Sequence, residues 1–355
     1  MTDARNASCG ERLMVTADDS TGATEAAAAC ADAGLTVHVV PFGVVADAHL
    51  SADGCVVVDL RSRHTSAAEA RRRITETTTS AHRVHKIDST LRGNWAVELA
   101  ALIDLGRRVV LIPSHPLAGR ICARGVVYVH GVPVANSDLG NDPRLPVRSS
   151  RPSEYLPGTE LAGPDALEAW LSQSGPGAAI VDATTLADID RLVATALVAP
   201  DVVVSGPAPV VGAVAGICSP ADAAPNLPEP LLPKPVVVVC ASLHPVSRAQ
   251  IAAVAAAGIE VVTSSQVRDI DPEAIASEVA ERAHQLVATQ HARSVILVGG
   301  DTAEAFIGDS VVRVFGSIDV GISLGDAQVR GMRLRVASKP GGFGTPNTLV
   351  DLVMR

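Results

Sequence analysis

The segment at 85–94, HKIDSTLRGN, carries a dense set of reactive side chains. It holds two cations, one carboxylate and several hydroxyl or amide groups, whereas a solvated connector, which is the alternative, needs only a few turn formers. Cationic side chains bind carboxylates, and hydroxyl or amide groups bind hydroxyls. The segment therefore predicts a site for a small anionic polyol. Its contacts would come from Lys86, Ser89, Thr90, Arg92 and Asn94, with Asp88 among them.

A second candidate is the junction ADDSTGATEA, which places Asp18 and Asp19 between a short apolar strand and an Ala-rich helix. Ligands of open α/β sheets bind at this edge, outside the carboxyl ends of the strands. Either carboxylate could accept a proton or hold a cation, but Asp is also a common helix cap. We expect one of the two to cap the helix and the other to work in the site. Arg63, which follows the apolar run Cys55–Leu60, should reach the same edge.

Three junctions in the second half of the chain are rich in glycine or serine. Glycine lets backbone N–H groups approach phosphate oxygens, and a helix N-terminus adds a favourable field. Neither GxxxxGK[ST] nor GxGxxG occurs, so the pattern is not that of a P-loop or a Rossmann site. Each junction alone fits a tight turn equally well, but together they predict a nucleotide cradle. The residues concerned are Ser242 after Ala241, Gly299, Gly300, Asp301 and Thr302, and Gly341 and Gly342 of GGFG.

The elements that must position these loops alternate between apolar strands and helices. Near-continuous apolar runs such as Leu13–Ala17, Val236–Cys240 and Ser294–Val298 are typical of parallel strands buried on both faces. Val126–His130 and Val132–Val134 flank Gly131 and indicate a β insertion. We therefore predict an α/β fold with two domains, each a mostly parallel sheet flanked by helices.

The boundary between the two domains is predicted at SPADAAPNLPEPLLPKP, residues 219–235. Proline at this density prevents both a helix and a central strand, so the segment should be a stiff connector. A chain of 355 residues is long enough for two domains. This division gives a domain at 1–218, a linker at 219–235 and a second domain at 236–355.

Composition excludes several classes of protein. Aromatic residues make up 2% and the net charge is −9, which argues against a nucleic-acid partner. No apolar run reaches the ~20 residues that span a membrane, and the polar start predicts no secretion signal, so we expect a cytoplasmic protein. The six scattered cysteines predict reduced thiols. His82 and His85 should face opposite sides of a regular strand, which argues against zinc.

The motifs ADDSTGA, KIDSTLRGN, PSHPLAGR, ASLHPVSRAQ, GGDTA and KPGGFG, in this order, resemble the four-carbon acid sugar kinase family. The resemblance extends over nearly the whole chain. It implies that the N-terminal domain binds a sugar acid, that the C-terminal domain binds ATP as a magnesium complex, and that the active site lies in the interdomain cleft. It also implies phosphorylation of a threonate, erythronate or 3-oxo-tetronate type of acid.

Matching motif positions imply substrate contacts at Asp18, Asp19, Arg63 and Lys86 to Ser89, and ATP contacts at Ser242, Gly299 to Thr302 and Gly341 or Gly342. Our hypothesis is that Asp19 or Asp88 accepts the proton of the attacking hydroxyl, while Arg63, Lys86 and Arg92 hold the carboxylate. The metal ligands are left unassigned.

The alternative is a non-catalytic sugar-acid-binding or regulatory member of the same fold. Ala241 stands where the family usually has glycine, and Pro340 where a small residue is usual. An NAD-linked oxidoreductase is disfavoured by the missing GxGxxG and ribose-binding carboxylate. The sequence leaves the stereoisomer of the acid and the oligomeric state open, with a homodimer as the assembly considered.

Overall fold

A computed structural model describes residues 13–44, 54–79, 82–142, 144–173, 175–220, 224–264 and 271–355. Within these ranges the chain is an α/β protein with one large sheet flanked by helices. The α/β class predicted from the alternating pattern is therefore confirmed.

The helices begin mostly at the residue types that satisfy free backbone N–H groups. Ser66 accepts from the N–H of Glu69, Asp271 accepts from Glu273, and Thr185 forms a reciprocal capping box with Asp188. The helices are α1 (Ser20–Asp32), α2 (Ala67–Thr77), α3 (Trp95–Asp104), α4 (Pro164–Leu171), α5 (Leu186–Ala196), α6 (Ala208–Cys218), α7 (Pro245–Ala256), α8 (Pro272–Thr289), α9 (Gly300–Ile307) and α10 (Thr348–Met354).

The strands coincide with the valine-rich runs, since β-branched side chains fit a pleated surface buried on both faces. They are β1 (Leu13–Ala17), β2 (Thr36–Pro41), β3 (Gly54–Asp59), β4 (His82–Lys86), β5 (Arg108–Leu111), β6 (Arg120–Ala123), β7 (Val126–Val129), β8 (Val132–Pro133), β9 (Thr159–Leu161), β10 (Gly177–Val181), β11 (Val202–Gly206), β12 (Val236–Cys240), β13 (Glu260–Thr263), β14 (Ser294–Val298), β15 (Val312–Asp319), β16 (Ile322–Val329) and β17 (Met332–Lys339).

The large sheet has the order β13-β12-β14-β17-β16-β15-β2-β3-β1-β4-β11-β5-β10-β9 in the described part of the chain. Every pair from β2 to β9 is parallel, as are β13-β12-β14-β17, whereas β15, β16 and β17 pair antiparallel. The antiparallel pairing of β2 with β15, with Val39 opposite Val312 and Val37 opposite Val314, joins the two halves. The chain therefore forms one continuous sheet, where the sequence predicted a separate sheet in each half.

The β insertion predicted around Gly131 is confirmed as a small antiparallel sheet of β6, β7 and β8. It packs beside the carboxyl end of β10, because Cys122 pairs with Ala183, just after that strand, across an isolated bridge. In the proline-rich segment, the described residues 219–220 and 224–235 contain neither helix nor strand, as the proline density predicts. The division into two domains itself stays a prediction.

The thiols are mostly buried. Cys30, Cys55, Cys122 and Cys240 are free and buried, as expected for reduced side chains in an apolar core. Cys218 is disulfide-bonded, so the expectation of reduced thiols is wrong for this residue. None of the helices in the described ranges has both the length and the apolarity to cross a membrane.

Candidate active site

The carboxyl end of β1 presents two carboxylates gripped by one guanidinium. Arg63 donates from Nε and Nη2 to the two oxygens of Asp18, at 2.7 and 2.8 Å, and from Nη1 to Asp19 at 2.7 Å. Asp18 is fully buried, and the backbone N–H of Arg63 also bonds its carbonyl. The strand ends of β1 and β3 therefore meet at this edge, as the sequence predicted, but Arg63 is already neutralised by its two carboxylate partners.

Asp19 is the helix cap and also the carboxylate that faces the second half of the chain. Its Oδ1 accepts from the N–H of Gly22 at 2.9 Å, which closes the N-terminus of α1. A Cβ placed on Gly300 would lie 3.2 Å from its Oδ2. Burial raises the pKa of Asp19 to about 6, against the opposing effect of Arg63. The sequence predicts that one aspartate caps the helix and the other works in the site. The cap is Asp19, which is also the aspartate next to Gly300.

Asp88, the other proposed proton acceptor, is held in a cage of donors. It accepts from Arg92 Nε and Nη2, at 3.1 and 3.0 Å, and from the N–H and hydroxyl of Thr90. Burial alone would raise its pKa, but Arg92 and Arg63 hold that pKa well below the usual range. Asp88 is therefore a weaker base than Asp19.

Other members of the segment 85–94 either tie the loop to the backbone of the chain or contact side chains from other elements. Asn94 donates to the carbonyls of Ser62 and Thr65, at 2.8 and 3.0 Å, and thereby ties the loop to the end of β3. Lys86 lies 3.5 Å from Glu25 Oε2, and the hydroxyl of Ser89 accepts a hydrogen bond from Arg120. The site thus includes two groups that the sequence did not single out, Glu25 and Arg120.

Glu25 and Arg120 lie on elements whose proximity to the site cannot be predicted from their positions in the sequence. Glu25 lies on α1, and His115, which approaches its Oε1 to 3.7 Å, follows β5. Burial would raise the pKa of Glu25, but Lys86 and His115 together lower it. Arg120 opens β6 of the small sheet. The motif PSHPLAGR, which contributes to the resemblance, was the available signal for His115 and Arg120.

Beneath the site lies a buried polar chain. Thr16 Oγ1 bonds His82 Nε2 at 2.9 Å and His85 Nδ1 at 2.8 Å, and His85 Nε2 bonds Glu98 at 3.0 Å. The register of β1 against β4 shifts between Met14 and Val15, so both histidines meet the same threonine. The prediction that they face opposite sides is wrong because of this bulge.

The three glycine- or serine-rich junctions meet at the carboxyl ends of β12, β14 and β17. Gly299 donates its N–H to the carbonyl of Lys339 at 2.8 Å, and the N–H of Ala241 bonds Thr302 Oγ1 at 3.0 Å. A Cβ on Gly341 would lie 3.0 Å from Ser242 Oγ. The convergence of these loops, predicted from parallel-sheet geometry, is present in the structure.

Lys339 holds the GGFG loop from inside. Its side chain is fully buried, and Nζ donates to the carbonyls of Pro340 at 2.6 Å and Phe343 at 2.7 Å. Burial lowers its pKa to about 8. The charge therefore lies directly below the loop, where it orders the backbone that would face an anion.

The junction fits a phosphate group. Thr21 Oγ1 is buried and has no hydrogen-bond partner among the described residues, and a Cβ on Gly300 would lie 3.1 Å from it. A free hydroxyl, bare glycine backbone and the N-terminus of α9 form an anion cradle. The described residues contain no cluster of three or more metal-ligating side chains. Mg²⁺ in phosphoryl-transfer sites usually needs only one or two carboxylates besides the phosphates.

A cavity of about 480 Å³ connects the two halves at this point. Its wall includes Asp18, Asp19 and Arg63 from the first half, and Gly300 and Glu304 from the second. Burial, together with nearby Asp59, raises the pKa of Glu304 to about 7. The arrangement places the carboxylate of Asp19, whose pKa is raised by burial, beside the bare backbone of Gly300.

A family model described as a sugar-binding N-terminal domain matches residues 13–214, more than half of the chain. The D-threonate kinase of Bordetella bronchiseptica is 27% identical, with 96% of each chain covered. The D-threonate kinase of Cupriavidus necator is 34% identical over 199 residues, and that match spans 51% of this chain and 48% of the relative. The chain belongs to the four-carbon acid sugar kinase family. The resemblance drawn from the motifs is confirmed.

A solved structure from Bordetella bronchiseptica is similar to this chain. It is described as a domain of unknown function with bound citrate, in a domain-swapped dimer. It is 26% identical, covers 96% of this chain and 97% of its own, and superposes with a TM-score of 0.53.

Proposed function

We propose that the chain is an ATP-dependent kinase that phosphorylates a hydroxyl group of a four-carbon acid sugar. The observation that carries this proposal is the approach of Asp19 to Gly300, where a Cβ would lie 3.2 Å from the carboxylate. A candidate base on the acid-binding side thus adjoins the phosphate cradle. The named activities of the family relatives support the same reaction.

Phosphoryl transfer depends on alignment and on neutralisation of charge more than on covalent chemistry. In this proposal, Ser242, the Gly299–Thr302 loop and the Gly341–Gly342 backbone hold the phosphates of ATP. Mg²⁺ would supply the charge that neutralises the transferred group. Thr21, whose hydroxyl is free, completes the cradle from the first half of the chain. Binding of the reactants between the halves would limit the access of water and so suppress ATP hydrolysis.

Asp19 is the preferred proton acceptor in this mechanism. A pKa of about 6 keeps it ionised at neutral pH yet basic enough to take a hydroxyl proton. Asp88 is less suited, because five donors already occupy its oxygens and its pKa is low. Arg63 orients Asp19 by pairing with it and with Asp18.

The substrate itself is proposed to lie against the segment 85–94. Lys86 and Ser89 face it directly, while Arg92 and Thr90 act by holding Asp88, and Asn94 by anchoring the loop. This assignment keeps all of the residues that the sequence pointed to, but gives several of them a supporting role. Threonate, erythronate and 3-oxo-tetronate remain the candidate acids.

The test is a panel of these acids with ATP, read by coupled ADP production. We expect ADP release with at least one of them. The non-catalytic alternative predicts thermal stabilisation by an acid with no ADP release, and this result would refute the kinase. Single-turnover transfer with saturating substrate then compares Asp19→Asn with Asp88→Asn. Near-normal transfer in both variants would remove the proton-acceptor role from both residues.

We also propose that the chain forms a homodimer. The support is the dimeric state of the Bordetella structure, which aligns over almost the whole chain. Size-exclusion chromatography with light-scattering detection measures the molecular mass directly. A monomer at micromolar concentration would contradict the proposal.

A further inference from the structure

The cations that the sequence assigned to the substrate carboxylate all have carboxylate partners within the chain. Arg63 lies 2.7 Å from Asp18, Arg92 lies 3.0 Å from Asp88, and Lys86 lies 3.5 Å from Glu25. A guanidinium that already grips two aspartates has few donors left for a third carboxylate. A substrate acid therefore needs a further cation.

Arg120 is such a cation. Among the described residues no carboxylate lies within 4 Å of its guanidinium, although the group is half-buried. Its Nε is buried and has no hydrogen-bond partner in the part of the chain that the structure describes, and its Nη1 donates to Ser89 Oγ. Burial lowers the pKa of Arg120, although Asp88 and Glu25 act in the opposite direction from beyond ion-pair distance. A buried charge without a counter-ion in direct contact is costly. An anionic ligand at this position would remove that cost.

The surroundings of Arg120 suit the rest of an acid sugar. His115 exchanges backbone hydrogen bonds with Arg120, at 2.8 and 3.1 Å, which hold the two residues side by side. The Nδ1 of His115 is buried and has no partner among the described residues, while Glu25 lies 3.7 Å from its Nε2. Together with Ser89 these groups offer donors and acceptors for hydroxyls next to the carboxylate.

The guanidinium also touches the second half of the chain. Its Cζ lies 5.9 Å from the centre of the Phe343 ring, in the GGFG loop. Stacking on an aromatic face leaves the in-plane N–H groups of arginine free for a bidentate contact. A ligand that fixes Arg120 would therefore also steady the loop that Lys339 holds from below.

We propose that Arg120 binds the carboxylate of the acceptor and thereby selects an acid over the corresponding neutral polyol. This inference rests on the proposed function, since it names the contact that recognises the substrate class. It assigns substrate recognition to the small β6-β7-β8 sheet, whose first residue is Arg120.

The experiment compares binding of D-threonate or D-erythronate, whichever the wild type binds, with binding of the neutral D-threitol or erythritol, by calorimetry on the full chain. In Arg120→Gln we expect the Kd for the acid to rise about 10- to 100-fold, the effect of losing charged hydrogen bonds, with the polyol unchanged. Arg120→Lys keeps the positive charge but loses the two-pronged guanidinium contact, so its Kd for the acid should lie between those of the wild type and Arg120→Gln. Arg124→Gln, on the same β hairpin but exposed, is the matched control.

The outcomes separate this inference from the kinase proposal. If Arg120→Gln and Arg120→Lys both keep the wild-type preference for the acid, Arg120 does not bind the carboxylate. If acid affinity persists but kcat at saturating acid falls about 1,000-fold, Arg120 serves the transferred phosphoryl group instead, and the inference is overturned. Acid binding that depends on Arg120 but yields no ADP refutes the kinase and supports the inference. A wild type that binds neither D-threonate, D-erythronate nor 3-oxo-tetronate refutes both.

Discussion

The substitution Asp19→Asn should make the protein more stable while it removes catalysis. The pKa of Asp19 is about 6 in the folded chain, whereas an unfolded aspartate titrates near 3.9. This difference of roughly 2 pKa units corresponds to about 3 kcal/mol at 1.36 kcal/mol per unit. Asn caps a helix as well as Asp does, so the bond from Gly22 can persist in the variant.

The sign of the pH dependence follows from the raised pKa. Between about pH 4 and pH 6 the folded state binds a proton at Asp19 that the unfolded state has lost, so this group's contribution to stability falls as pH rises. Above pH 6 the carboxylate of Asp19 is ionised in the folded state, and its contribution to stability is fully lost. The gain from Asp19→Asn should therefore be near zero at pH 4 and reach about 2–3 kcal/mol above pH 6.

The assay is urea unfolding of both proteins at several pH values from 4.5 to 8, alongside single-turnover phosphoryl transfer at pH 7.5. We expect transfer to fall about 100- to 10,000-fold, the usual contribution of a positioned base. Asp88→Asn is the opposite control: the pKa of Asp88 is held low, so this variant should lose stability at neutral pH and lose less as pH falls. If Asp19→Asn is neutral or destabilising from pH 6 to 8, the reasoning from desolvation is wrong.

Three further predictions concern the loops and the buried network. Gly300→Ala should raise the KM for ATP about tenfold or more with little change in stability, because its Cβ would enter the phosphate cradle; Gly216→Ala, with open space around it, is the kinetic control. Lys339→Met should weaken calorimetric binding of an ATP analogue by loosening the GGFG loop. Because the pKa of Lys339 is about 8 in the folded state, wild-type stability should rise between about pH 8 and pH 10. Urea unfolding should show that Lys339→Met abolishes this rise. Glu98→Gln, which disturbs the bonds to His85 and Ser62, should cost about 1–3 kcal/mol in the same unfolding assay, and an unchanged midpoint would contradict a structural role.

The positions of several strands could be predicted directly from the sequence. β1, β12 and β14 have the predicted bounds because each is a mostly apolar run with polar or glycine residues shortly after it. The meeting of the loops after these strands follows from parallel pairing, since carboxyl ends share one edge. The α/β class and the position of the candidate site could therefore be predicted from local patterns alone.

The rest depends on contacts between elements far apart in sequence. The pairing of β2 with β15 joins residues more than 270 positions apart, and edge pairing of this kind leaves no periodic signal. Glu25 on α1 and Arg120 on the small sheet reach the site through long-range contacts with Lys86 and Ser89. Likewise, the pairing of Arg63 with both aspartates could not be predicted, since spacing in the sequence does not show which cations are already neutralised.

The β2–β15 seam has a mechanical consequence. Backbone hydrogen bonds across it resist separation of the two halves along the plane of the sheet, so a wide hinge-like opening would have to break that ladder. Twisting about the seam is the softer motion, because sheets tolerate variation in the angle between neighbouring strands. Entry of reactants and exit of products should accordingly depend on small torsions and on rearrangement of the GGFG loop, while the two halves stay attached throughout the reaction.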